Sequence, residues 1–382
     1  MARKRMRAVL LAGALVASVA AVGVTGSSVV AGGAGKVNWA KISRLTLKGS
    51  TTMAALVKAA QAERTLNVVA LPNNVANYGT IISDFTVKYG IKVNSVNPAG
   101  TSAQEIAAIR SGRGHGDGPD VIDVSTKYAL AAKKRGLLSR YRVATWKEIP
   151  AALKDPKGYW FDDYGGFVAI GCDTTVVTVC PTSFKSMVTA ATADGYKIGI
   201  NNSPLTSNGA LAAVQAASVA NGGTLNDVAP GVAYFASLNK NGTFVNTIAD
   251  ATTAQNGTTN IIVWWDYLQV SGITQSGWKV VIPSDGVVGE FNSQAINKFA
   301  PHPAAARLWE EYLYSMAGQN LILGGEVRPV ELAYMQAHHT ADKSLTAKLP
   351  KLPAKSKPLF PTTVQISRAT AVIDRTWSSK VG

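Results

Sequence analysis

Along the chain, a short unbroken apolar run is followed by a turn residue and then by apolar positions at helical spacing, and this order repeats. Residues 66–71 (LNVVAL) suit a strand buried on both faces, ended by Pro72 and Asn73. Ile81, Phe85 and Tyr89 then predict a helix over 80–89, stopped by Gly90. A second strand follows at 91–96, a helix at 103–110, a third strand at 121–124 and a helix at 127–135 capped by Gly136. Ahead of them, 53–62 carries Leu56, Val57 and Ala60 on one helical face. Alternation at this pace predicts βαβ units, an α/β fold class and mostly parallel central sheets. Such sheets bind ligands beyond the carboxyl ends of their strands.

The periodicity breaks over 141–160, and a second α/β set follows. It comprises strands at 165–170, 198–200 and 261–263, with helices over 209–220 and 229–238. Segments 278–283 and 295–297 read as strands returning to the first set. Pro303 opens a helix with Ala305, Trp309, Tyr312 and Met316 on one face. Beyond Leu323 the chain turns to Gly, Pro and Lys, and closes in an amphipathic helix around 364–377.

A length of 382 residues fits two cores better than one, and 47% hydrophobic with 16% charged residues is a globular composition. Arg3, Lys4, Arg5 and Arg7 precede an apolar stretch over 8–24, the pattern of a secretory signal peptide. The alternative is an uncleaved membrane anchor. Gly13, Gly23 and Gly26 favour cleavage, with the cut expected after Ala31, and after Ala34 as the alternative. The formal charge of +15 would otherwise point to nucleic acid. The basic residues are scattered, however, and no stacking pattern of aromatics accompanies them, so a solvated face is expected and no nucleic-acid partner. Cys172 and Cys180 stand alone as a pair, which in an exported chain reads as a disulfide. Neither follows the apolar stretch, so no lipid-anchoring cysteine is present.

No catalytic signature stands out. His115, His302, His338 and His339 form no metal-binding pair, and no metal or cofactor is expected. Gly112, Gly114, Gly116 and Gly118 follow a helix instead of a strand, against a dinucleotide loop. Binding features are richer. In 201–211 (NNSPLTSNGAL) a strand end runs into Thr206, Ser207 and Asn208 just before a helix, suiting an oxyanion or serving as a plain N-cap. After the strand at 261–263, Trp264, Trp265, Asp266 and Tyr267 set rings beside a carboxylate, a combination that clamps amines. A carboxylate there needs a partner: the ligand's cation, or a distant Lys or Arg. The absence of a basic residue nearby in sequence favours the ligand. Glu290 and Asn292 sit at a strand start. Asn73, Asn74 and Tyr78 follow the first strand, and Ser125, Thr126 and Tyr128 the third, all where a cleft is expected.

Several phrases carry a resemblance to the extracellular solute-binding proteins of ABC importers for polyamines, ferric iron, thiamine and phosphonates. They include NVVALPNNVANYGTIISDFTVKYGIKV, GPDVIDVSTKYALAAKKRGLL, GGFVAIGCDTT, SPLTSNGALAAV, VVIPSDGVVGEFNSQAIN and APHPAAARLWEEYL. The resemblance implies a two-lobed periplasmic-binding-protein fold that closes on its ligand. It also implies delivery of a small molecule to a membrane permease by a monomer, without chemistry. An exported enzyme or a sensor on the same scaffold is the competing reading. The division expected is a signal peptide at 1–31, a lead-in at 32–65, a first lobe at 66–167, a second at 168–284, and a return to the first at 285–382. In polyamine receptors, Trp and Asp commonly occupy the positions matched by Glu290 and Asn292, and iron receptors place a Tyr pair at the WWDY stretch. The helix-start loop SPLTSNG resembles those of phosphonate receptors. A polyamine-, thiamine- or phosphonate-like ligand is implied, and a cation bearing an acidic group would satisfy both ends.

Overall fold

The computed structural model describes residues 37–382, so the leader at 1–31 and its cleavage lie outside the described residues. Nine strands form one mixed sheet: β1 Thr65–Val69, β2 Lys92–Val96, β3 Val121–Ser125, β4 Phe161–Asp173, β5 Ile198–Ile200, β6 Ile261–Trp265, β7 Trp278–Val281, β8 Gly289–Ile296 and β9 Arg328–Pro329. Their order is β2-β1-β3-β8-β4-β6-β5, with β7 and β9 also pairing with β4.

The α/β reading holds, with a helix at Met53–Glu63 ahead of β1 and helices at Tyr78–Tyr89, Ser102–Ser111 and Thr126–Lys134 between β1 and β4. The parallel bias does not. β1 pairs in parallel with β2 and β3, and β5 with β6. Every pairing of β4, and that of β3 with β8, is antiparallel. Helical crossovers produce parallel neighbours only inside each set, whereas β4 and β8 join the sets and run against them. β7 also departs from expectation: it pairs with the far part of β4 instead of returning to the first set.

The thirteen-residue β4 crosses the molecule. Its part from Phe161 to Phe167 pairs with β8, and Val168 to Cys172 pairs with β6. Gly166 sits at this crossing. A Cβ there would lie 2.1 Å from the Asp266 Oδ1, so only glycine lets that carboxylate approach the strand.

Each set has its own core. Ile106, Ile109, Ile122, Val124, Ala132 and Trp160 cluster in the first. In the second, Ile261 and Val263 pack with Ala213, Val214 and Ala217 of the helix Asn208–Ala220. The closing helix Thr363–Lys380 does not return to the first set. Its Ala369, Ile373 and Trp377 complete the second core, with the Trp377 ring 5.7 Å from Phe235 and 6.3 Å from Phe244. Cys172 and Cys180 are joined, their Cα atoms 5.9 Å apart, inside the range a disulfide spans.

Candidate functional site

A cavity of about 300 Å³ lies between the two sets. Thr126, Trp160 and Asp162 line it from the first, and Asn208, Leu211, Gln215 and Trp265 from the second. Glu290 and Phe291 of β8 and Phe360 of the C-terminal segment complete the wall. Local sequence explains these placements. Thr126 opens a helix directly after β3, so the strand end delivers it to the cleft. Ser207 is the N-cap of the helix Asn208–Ala220, its Oγ accepting from the Ala210 N–H, and the first turn then presents Asn208 and Leu211.

Three polar groups in this wall stand without protein partners among the described residues. The Glu290 carboxylate accepts no hydrogen bond, and burial alone pushes its pKa up to about 7. The Gln215 amide nitrogen and the Trp160 indole N–H are buried and have no acceptor. A buried polar group left unmatched costs on the order of 1–3 kcal/mol, and of these three Glu290 is the one the cavity space reaches. The arrangement offers a ligand one anionic acceptor, Glu290. Asp162 differs, because it accepts from Ser293 Oγ at 2.5 Å. Burial nonetheless holds its pKa well above the ordinary carboxylate value.

Behind the wall lies a polar network that faces protein. Tyr78 Oη donates to Asp163 Oδ2 at 2.6 Å and lies 2.9 Å from Asp123 Oδ2, and Gln294 Nε2 donates to the same hydroxyl at 2.9 Å. Asn292 donates to the Tyr164 Oη at 2.7 Å. Burial raises the pKa of both Asp123 and Asp163, which holds protons inside the network.

Of the residues the sequence singled out, the cavity gathers Thr126, Asn208, Trp265 and Glu290. Tyr78 is fully buried in the network, and Asn292 is bound to Tyr164. Asn73 and Asn74 are exposed on the turn after β1, away from the cavity lining. Ser125 keeps a buried hydroxyl without a partner, and Tyr128 packs against the first core. Thr206 is exposed and its hydroxyl bonds within its own turn. Tyr267 stands edge-on to Tyr164 at 6.5 Å.

Asp266 is where the structure corrects the expectation. It opens the helix Asp266–Gly272 directly after β6 and is fully buried. Its cation is Arg328, whose Nε and Nη2 each lie 3.0 Å from Oδ2. The N–H groups of Phe167 and Tyr267 both donate to Oδ1 at 2.9 Å. Burial still raises its pKa, with Arg328 the main opposing influence. Sequence proximity missed this partner because β9 brings Arg328 to the crossing from far along the chain.

Sequence reasoning also missed Trp160, Gln215, Phe291 and Phe360. Gln215 left a signal: it is a lone amide in the otherwise apolar run ALAAVQAASVA.

Residues 117–354 match the family model for bacterial extracellular solute-binding protein. No curated protein matches the chain by sequence. Among solved structures, an extracellular solute-binding protein from Bordetella parapertussis superposes with a TM-score of 0.68 at 19% identity, covering 84% of this chain and 100% of its own. An ABC transporter substrate-binding protein from Bradyrhizobium japonicum gives 0.65 at 17% identity, over 83% of this chain and 99% of its own. A spermidine/putrescine ABC transporter protein from Listeria monocytogenes gives 0.58 at 13% identity, over 83% and 98%.

Proposed function

The chain belongs to the bacterial extracellular solute-binding proteins, and from that premise we propose that it is an ABC-importer receptor for a small organic amine. The observation that supports this ligand is Glu290, a carboxylate lining the cavity without a protein partner. An ammonium group satisfies it by a charge-assisted hydrogen bond, and the flanking Trp265 adds a ring face suited to a cation. The likeness to a spermidine/putrescine transporter protein agrees with an amine, at the level of fold.

Family membership implies an exported protein. Among the described residues, no helix is long and apolar enough to cross a membrane. In this reading the protein works as a monomer in the periplasm or at the cell wall, performs no chemistry, and hands its solute to a permease. The lobes correspond to 66–167 with the return from 285, and to 168–284 joined by the closing helix.

The test is a thermal-shift and calorimetric screen of polyamines, ω-amino acids, thiamine and phosphonates. A ligand at a hundred times its Kd raises stability by about 2.7 kcal/mol. Amines are expected to shift the melting temperature and phosphonates lacking an amine are not. The reverse pattern overturns the amine reading.

A further inference from the structure

A second cavity, about 720 Å³, lies against the first. Its lining is mainly apolar and includes Phe167, Leu332, Met335, Leu349 and Leu352. Phe360 lines both spaces, together with Ala152, Leu153 and Phe291. The Phe360 ring lies 6.2 Å from Phe167 and 5.9 Å from Phe291. It also covers Gly289, where a Cβ would come within 2.9 Å of its edge.

Phe360 is held there by backbone. The Leu359 N–H donates to the Val287 carbonyl, and the Leu359 carbonyl accepts from the Gly289 N–H, both at 2.9 Å. Pro358 and Pro361 bracket the pair and restrict the chain on either side. The ring is therefore a fixed partition between the cavity that holds Glu290 and the larger groove behind it.

We infer that Phe360 sets the length of ligand the receptor accepts, by closing the Glu290 cavity against the larger groove behind it. This rests on the amine reading above and refines it. With Phe360 in place, the solute is a compact amine whose body ends at the ring. With the ring removed, an unbranched tail can run on between Phe167, Leu332 and Met335.

The experiment measures the affinity of a series of unbranched primary n-alkylamines, from short to long, for wild type, Phe360→Ala and Phe360→Trp. Each methylene newly buried strengthens binding about fourfold. Wild-type affinity is expected to rise with chain length and then break. In Phe360→Ala the rise continues through several further methylenes, and in Phe360→Trp the break comes earlier. Phe360→Leu, a milder change, stands in if the alanine variant melts at too low a temperature to assay, and its break should fall between those of wild type and alanine. Identical break points in wild type and the variants overturn the partition while leaving the amine reading intact. If no amine binds wild type, the amine reading falls and this inference falls with it.

Discussion

Asp266 and Glu290 both stand beside Gly166 on the crossing strand, yet the protein treats the two carboxylates in opposite ways. Glu290 lies opposite Gly166 in the β4–β8 register, and Asp266 occupies the space that a side chain at 166 would fill. Asp266 has Arg328 and two backbone donors, so its charge is spent on architecture. Glu290 has nothing, and its charge faces a cavity. Neither burial nor the lack of a partner is enough to mark a binding carboxylate, since Glu310 and Glu331 are buried and unmatched away from the cavity. Glu290 combines the missing partner with a place on the cavity wall.

Breaking the paired site should have the largest effect. Asp266→Ala leaves Arg328 buried without its counter-charge and should lower the stability of the free protein by about 3–5 kcal/mol in denaturant titration. Replacing the pair together, Asp266→Leu with Arg328→Met, should recover much of that loss. Equal losses in the single and double variants would mean that the ion pair is not what Asp266 supplies.

At the unpaired site the same kind of change should fall on binding. Glu290→Gln should weaken amine affinity by about 1.5–3 kcal/mol in calorimetry, roughly ten- to more than a hundredfold. The melting of the free variant should stay within about 1 kcal/mol of wild type or rise, since a costly unmatched charge is gone.

Acidity sharpens the contrast further. Glu290 must be ionised to hold an ammonium group, and its pKa stands at about 7. Amine affinity should fall about tenfold, or 1.4 kcal/mol, for each pH unit below that value, with a proton released on binding. Glu290→Gln should abolish this dependence. In the free protein the sign reverses. A folded pKa raised from 4.5 to about 7 contributes stability that is full below the lower value and is lost as pH rises through the higher.

The smallest effect belongs to Ser207, whose hydroxyl caps its own helix. Ser207→Ala should cost about 1 kcal/mol of stability through the lost cap and leave affinity unchanged. A clear loss of affinity instead would give that hydroxyl a place at the ligand.

The strands and helices of the first set were readable because their apolar runs and turn residues are local signals. β1, β3 and the helix Tyr78–Tyr89 all lie within a few residues of their expected bounds. The joined Cys172 and Cys180 were readable from their isolation as a pair. Thr126, Asn208, Trp265 and Glu290 meet on one cavity wall because strand ends and helix starts converge there. Asp266 was placed at the ligand because its cation comes from β9, and no periodicity encodes a pairing over that separation. Tyr78 looked like a cleft residue after β1, but its hydroxyl turns inward to Asp123 and Asp163. Phe360 was invisible for another reason: it belongs to a proline-bracketed segment whose course is set by two backbone bonds to residues around Val288.

The position of Trp377 has a consequence for the order in which the molecule can be made. The second core is built largely from residues between 168 and 265, but the aromatic ring that packs on Phe235 and Phe244 is synthesised roughly 110 residues later. At about 5–20 residues per second, a ribosome takes on the order of ten seconds to cover that distance. Through that interval Phe235 and Phe244 have no Trp377 to cover them, and the half-made protein presents a sticky surface to its surroundings. Completion of the second core thus waits on a helix made long after the strands and helices it covers.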